Sequence, residues 1–516
     1  MVVWKIAQEL VFNFLLQFVY IFCIYNFVFL YTFYIKIMKF NNSIYENEEL
    51  TYQDVFLFQN YFEWRSRFEI DVKPTNSFWT EIPIVVANMN AIAGKRMAET
   101  IARYGGLAVL PQDMSIETLE SVIKHVKNAN SKYDTPITVK SDNTIRDAMW
   151  IIHKRDHNCV VMVDDNFKAI WIFTPKDFED LDQFSLLWNI KKGQLVTWEV
   201  WISNEDAFNI MDKKNISSLP IVDKNWILKG ILTKKNTIRN SIYRPSLDKS
   251  GKLNVAVAIW INSFEEKIHK LFELWINVFV LDTAHGYQKS MIENIKKFRK
   301  LFGNWPILIA GNVITEEATR ELIQAGANGV KVGIWPGAMC TTRMKTWVWR
   351  PQFTAVYKCA KEAKKHGGFV WADGWIKSPR DMNLALAAWA NHVMLGSLFA
   401  GTLESVWDIK YDNDGNMYKD NYGMASKKAV NLRNQNSSKF ELLKKEMFRE
   451  GISNSKIYIK KWRESAWDIV DDFMAGLRSA MTYVWANNLK EFNKKAIIWV
   501  QTNAGFSEWE PVAKMR

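Results

Sequence analysis

The run Lys331-Val-Gly-Ile-Trp-Pro-Gly-Ala-Met-Cys340-Thr341-Thr342-Arg343 holds one thiol where it can act as a nucleophile. It leaves an apolar, β-like segment, turns on glycine and proline, and ends with the cysteine between small residues and an arginine. Backbone N–H groups and a nearby cation lower a thiol's pKa, and the thiolate is the attacking species. The alternative is a buried structural cysteine. Asp282, Asn312, Asp373 and Gly396 stand, like Cys340, at or just beyond the ends of apolar runs.

Such residues need a scaffold that brings strand ends together. Two strands are expected at 82–89 and 106–110, with a helix over 94–104 between them. Six more are expected at 254–259, 278–282, 307–310, 329–333, 369–373 and 392–396. Stretches 316–325 and 381–390 carry apolar residues at three- and four-residue intervals, the helical period. Eight βα units over roughly 250 residues predict an α/β chain folded as a (β/α)8 TIM barrel, with its site on the loops after the strands. An insert at 131–245 divides the barrel into 38–130 and 246–516. It is an internal repeat: Val161-Met-Val-Asp164 with Ala169-Ile-Trp171-Ile-Phe-Thr174 aligns with Pro220-Ile-Val-Asp223 and Leu228-Lys-Gly230-Ile-Leu-Thr233. Each copy pairs a short helix with a β-hairpin and ends in Thr174…Asp177 or Thr233…Asn236. It resembles a tandem CBS-domain pair, a module that often binds adenine nucleotides; a purely structural insert is the other reading.

The chain has 516 residues, enough for two or three domains. Its four widely spaced cysteines match neither a disulfide framework nor a zinc pattern, so a reducing, cytoplasmic compartment is expected. The net charge of +12 suits anionic ligands, but the lysines are scattered and no nucleic-acid-binding motif is present. Residues 9–35 are nearly uncharged and long enough to span a bilayer. Segment 1–37 is therefore either a membrane anchor or an extension upstream of the true start.

Tryptophan is anomalous, with 24 Trp beside 23 Gly. Trp335, Trp347, Trp349 and Trp375 occupy turn-like positions, and Trp171 in the first repeat matches Gly230 in the second. The reading is that a codon decoded as glycine in the source organism (UGA in some bacterial lineages) stands here as tryptophan at many of these positions.

The cysteine run resembles the catalytic loop of the IMP dehydrogenase/GMP reductase family, G-x-G-P-G-S-x-C-T-T-R, with Trp335 at a family glycine. The resemblance extends from about Met38, through Leu50-Thr-Tyr-Gln-Asp-Val-Phe, to the C-terminus. It implies that Cys340 attacks C2 of a purine mononucleotide to form a covalent thioimidate. It further implies that Asp373, Gly374 and Trp375 meet the ribose and phosphate, that Gly396 and Ser397 make a second phosphate contact, and that Met89 lies against the base. Asp282, Thr283, Ala284, Gly311, Asn312, Ile334 and Trp335 are implied near the nicotinamide. Carbonyls of Trp335, Gly337 and Cys340 correspond to a monovalent-cation site, for K+. Tetramers or octamers are implied as well.

Two reactions share the thioimidate. IMP dehydrogenase passes hydride to NAD and hydrolyses the adduct with an Arg-Tyr pair in an R-V-P-Y-K-G flap. GMP reductase releases ammonia and takes hydride from NADPH. Tyr422-Gly423-Met424-Ala425-Ser426 and Arg449-Glu450-Gly451 resemble the reductase, with Thr342 and Glu450 beside the sulfur. Tyr458 and Arg463 read as loop residues. GMP reductase is therefore expected, with IMP dehydrogenase as the alternative and a catalytically inert, nucleotide-sensing protein as a third reading. The insert argues for the dehydrogenase; a CBS-containing reductase branch, which Val86–Gly94 and Leu110-Pro-Gln-Asp113 resemble, reconciles the two.

Overall fold

The computed structural model describes residues 48–508 except 62–65, 77, 191–192, 261–264, 335–336, 338, 425, 434–437, 448–450 and 453. The apolar 9–35 stretch and the expected site residues Trp335, Ala425 and Glu450 lie outside the described residues. No helix among the described residues is long and apolar enough to cross a membrane.

Eight parallel strands close into a barrel: β1 (Ile84–Val86), β2 (Leu107–Leu110), β3 (Ala256–Ile259), β4 (Val278–Asp282), β5 (Ile307–Val313), β6 (Gly329–Val332), β7 (Phe369–Asp373) and β8 (His392–Leu395). They run in the order β3-β4-β5-β6-β7-β8-β1-β2. Every strand expected from sequence is present, because both faces of a parallel strand are buried and write an apolar run. Alternate residues separate the two faces. Val85, Leu107, Val109, Ala256, Val280, Ile309 and Trp371 fill the barrel interior. Their neighbours Ile84, Val86, Ala108, Val257, Leu281, Leu308 and Ala372 pack outward against the helices.

Local signals set the helix ends. Glu316–Ala325 starts at Thr315, whose side chain accepts from Ala318 N, and stops at Gly326 with φ 122°. A Cβ on Gly326 would lie 2.6 Å from Arg299 Cγ, so glycine is required there by space as well as by conformation.

Between the helix Ile116–Asn128 and β3, the chain forms two three-stranded sheets. One comprises Thr138–Val139, Val160–Val163 and Ala169–Phe173; the other Trp198–Glu199, Ser218–Val222 and Leu228–Thr233. Their registers match: Trp171 pairs with Met162 and Gly230 with Ile221, and the same irregularity follows each pair. A Cβ on Gly230 would sit 2.3 Å from Tyr133 Cβ. Buried ion pairs tie this region to the barrel. Arg103 reaches Asp134 at 2.9 Å, Arg155 pairs with Glu99, and Arg239 holds Asp471 at 2.7 Å and Asp468 at 3.0 Å.

The described tryptophans differ sharply in backbone conformation and burial. Trp371 is fully buried inside the barrel. Eight others (Trp79, Trp226, Trp275, Trp347, Trp375, Trp389, Trp462 and Trp485) have φ between 56° and 73°, the left-handed region that favours glycine. Only five other non-glycine residues among those described share that region. Trp347 and Trp462 are 80% and 93% exposed, so burial offsets little of the strain. Trp347 and Trp375 thus match the expectation from sequence; Trp171 lies in a strand, and Trp349 is not among the positive-φ residues.

Candidate active site

The strand ends converge as expected, and the inward-facing positions at the mouth carry the polar groups. Asp282, Gly311 and Lys331 are in register across β4, β5 and β6. Asp373 is the next inward residue beyond Trp371, the β7 partner of Lys331. Gly311 makes this layer possible, since a Cβ there would lie 2.7 Å from Lys331 Cβ. Lys331 Nζ donates to Asp282 Oδ1 at 2.7 Å and to Asp373 Oδ2 at 3.1 Å. Burial disfavours this ammonium, but the two carboxylates outweigh it and hold its pKa above lysine's ordinary value. Asn88 Nδ2 donates to Asp282 Oδ2 at 2.8 Å, and Asn312 Nδ2 to Asp373 Oδ2 at 2.9 Å.

Around this layer the backbone is packed closely. Thr283 N donates to Gly311 O at 2.9 Å, and Asn312 N to Thr283 O at 3.1 Å. Gly286 N donates to Asn312 O at 2.7 Å. Ala284 is exposed beside them, whereas Ile334 is buried. Gly333, with φ 141°, passes so near β7 that a Cβ would meet Asp373 O at 2.2 Å. Gln352 Nε2 ties the same point down, donating to Val332 O at 2.9 Å and Asp373 O at 3.1 Å.

Cys340 is half-buried and its Sγ lies 3.4 Å from Oγ1 of the buried Thr342. Cys340 N donates to Gly337 O at 3.1 Å, and Arg343 Nη1 donates to the same oxygen at 3.2 Å. The Gly337 carbonyl expected to face a monovalent cation therefore faces a guanidinium here. Arg343 also stacks over the Trp375 ring at 4.7 Å, which brings the cysteine loop against the segment after Asp373 and Gly374. After β8, a Cβ on Gly396 would stand 3.5 Å from Met89 Sδ, so these two expected substrate contacts are neighbours. Ser397, next in the chain, is exposed.

A three-stranded antiparallel sheet (Lys410–Tyr411, Met417–Asn421, Ser455–Tyr458) carries the segment with Tyr422, Gly423 and Met424. Gly423 N donates to Ile452 O at 2.9 Å, and Ile452 N to Met339 O at 3.0 Å. The segment with Gly423 and the residue before Cys340 are thereby joined through the backbone. Tyr458, expected in a loop, ends a strand instead: it pairs with Tyr418 because the chain returns along Met417–Asn421. Arg463 Nη2 lies 3.1 Å from Asp472.

Lys331, Asn88, Gln352 and the Met339–Ile452 link are not among the site residues that the motifs mark in the sequence. Lys331 had one usable signal, a charge inside an otherwise apolar inward-and-outward strand.

The sequence profile of the "IMP dehydrogenase / GMP reductase domain" matches residues 49–511. GMP reductases of Mycobacterium bovis and Mycobacterium tuberculosis are 42% identical over 465 residues, 90% of this chain and 97% of theirs. The inosine-5'-monophosphate dehydrogenase of Halalkalibacterium halodurans is 35% identical over 474 residues, 90% and 96% of the two chains. A crystal structure of a Trypanosoma brucei GMP reductase variant in complex with guanosine 5'-monophosphate superposes with a TM-score of 0.63 at 27% identity. That match covers 91% of this chain and 98% of the other.

Proposed function

Because the chain belongs to the IMP dehydrogenase/GMP reductase family, we propose that it is a GMP reductase, converting GMP to IMP and ammonia with NADPH. The observation that carries the choice is the backbone link from the Tyr422–Met424 segment to the cysteine loop. Gly423, Ile452 and Met339 link a reductase-like segment to the cysteine loop. Tyr458 is half-exposed on a strand, Arg463 is paired with Asp472, and the two are five residues apart with no R-V-P-Y-K-G sequence around them, which supports the reductase reading.

In this reading the Cys340 thiolate attacks C2 of the purine, and the C2 amine takes a proton and leaves as ammonia. C2 then receives a hydride, the chemistry that a reduced nicotinamide supplies, and the thiolate departs to leave IMP. Thr342, 3.4 Å from Sγ, can hold or pass a proton at the sulfur. Glu450 is assigned to help ammonia leave. Asp373 keeps Oδ1 uncommitted among the described residues, and so can accept ribose hydroxyls. Met89 and Gly396 flank the base and phosphate ends, with Ser397, Gly374 and Met424 completing the nucleotide contacts. Half-buried Asp282 and Thr283, with Ala284 exposed at the mouth, suit a nicotinamide approaching from that side. The Trp335, Gly337 and Cys340 carbonyls would hold a K+ ion only if Arg343 released Gly337 O.

GMP-dependent oxidation of NADPH by the purified chain is the expected result. NAD reduction with IMP, and none of the first activity, would reverse the assignment to IMP dehydrogenase. One observation favours the inert reading: the Trp375 indole, under Arg343, occupies the segment meant for the phosphate. Folded protein active in neither assay would support it.

The insert is assigned as a tandem CBS pair that binds an adenine nucleotide. Thr174 Oγ1 donates to Asp177 Oδ2 at 2.8 Å, and Thr233 Oγ1 accepts from Asn236 N at 3.1 Å, so both pairs already cap short helices. ATP or AMP well above its Kd is expected to raise the melting midpoint by several degrees, through about 2–3 kcal/mol of linkage. The shift is expected to vanish in Asp177→Ala. A midpoint indifferent to both nucleotides would leave the insert a structural element only.

A further inference from the structure

We propose that Lys331 is a positioning residue that couples the two halves of the site, holding Asp282 at the nicotinamide side and Asp373 at the ribose side as separate, charged, oriented carboxylates. The assignment of those two sides rests on the functional reading above; the clamp itself rests on geometry alone. Lys331 is 3% exposed and lies in the top inward layer of the barrel. Among the described residues, the charged groups that face it are Asp282 from β4 and Asp373 from β7, at 2.7 and 3.1 Å. Asn88 beyond β1 and Asn312 on β5 are the neutral groups completing the chain Asn88–Asp282–Lys331–Asp373–Asn312.

The bonding pattern is asymmetric in a useful way. Asp282 has both oxygens engaged, Oδ1 by Lys331 and Oδ2 by Asn88. Asp373 receives Lys331 and Asn312 on the same oxygen, Oδ2. Its Oδ1 is left to accept from a vicinal diol, and the carboxylate plane is held from one side only. Without the ammonium, two half-buried carboxylates would stand side by side, and their repulsion would favour a proton on one of them at a pH where an isolated acid is ionised. A protonated or rotated Asp373 is a poor acceptor for ribose hydroxyls.

The test compares Lys331→Met, Lys331→Arg and the double variant Asp282→Asn/Lys331→Met in the full chain. In Lys331→Met one carboxyl has a folded-state pKa above its unfolded value. The folded state then binds more protons than the unfolded state between those two values, so stability falls as pH rises through that window. The melting deficit against the parent is therefore expected to widen by about 4 °C or more between about pH 5 and pH 8. Lys331→Arg keeps a cation and should remove most of that widening. The double variant restores the original net charge and should show no widening at all. A lysine that merely packs would give a deficit independent of pH. A constant deficit in Lys331→Met, or a double variant no better than the single one, overturns the proposal, including where the single variant is unfolded at neutral pH. Calorimetric titration with GMP and IMP gives a second readout. Lys331→Met should lose at least about tenfold in nucleotide affinity at the acid end and recover toward the alkaline end. Parent protein that binds neither nucleotide would overturn the functional reading, while the melting series still decides the clamp.

Discussion

Cys340→Ser is expected to lower GMP-dependent NADPH oxidation by at least about 10³-fold, a rise of roughly 4 kcal/mol in the barrier. A serine hydroxyl has the shape of the thiol but ionises far less readily, and an alkoxide is a much poorer leaving group from C2 than a thiolate. The remaining contacts should survive. The side chain is half-buried with one hydrogen-bond neighbour among the described residues, Thr342, and Cys340 N to Gly337 O ties the loop through its backbone. GMP affinity should therefore stay within a few-fold while turnover collapses, the pattern of a group that acts in the transition state. The complementary measurement is the intact mass of parent protein quenched during turnover, which should include a purine nucleotide adduct on Cys340. Retained turnover in the serine variant, or no trapped adduct, would remove covalent catalysis from the account.

Glycine at the eight left-handed tryptophans is expected to raise stability more than any other change. A bulky residue in that region costs roughly 1–3 kcal/mol, so eight positions together cost on the order of 10 kcal/mol, as much as a whole domain's stability. Trp389 recovers part of this through Nε1, which donates to Asn493 O at 2.9 Å. Trp275, Trp347 and Trp462 are exposed and gain little from burial. Trp371→Gly supplies the opposite control: that indole is fully buried among the inward side chains of the barrel, and its removal should destabilise by about 3–5 kcal/mol. Chemical denaturation of the eight-glycine chain, beside the mass of protein made by the source organism, checks both claims. Equal stability of the two chains, or a native mass that requires all 24 tryptophans, would refute the decoding argument. Glycine at Trp375 should also free the segment that now lies beneath Arg343 and strengthen GMP binding.

Much of the site was legible because its residues end apolar runs. Asp282 and Asp373 close β4 and β7 as expected, and Cys340 follows β6 on a loop marked by Gly333 and Gly337. The repeat was legible for a similar reason, since Met162–Trp171 and Ile221–Gly230 keep one register in two copies. Other features were not. Tyr458 looked like a loop residue because its strand is half-exposed and pairs with a segment far back in the chain. The Gly337 carbonyl was expected to be open, and only the return of Arg343 onto it changed that.

Unbroken apolar runs, turn residues at strand ends and an internal repeat were enough by themselves to determine the barrel and its insert, and to mark one thiol as the candidate nucleophile. Those are consequences of burial and local backbone conformation, which each segment carries within its own few residues. Tertiary structure alone decided that Lys331 stands between Asp282 and Asp373, that Asn88 and Asn312 complete the chain, and that Ile452 grips Met339. Charges and hydrogen bonds act through space between strands joined by long connections, so their partners exist only once the barrel has closed.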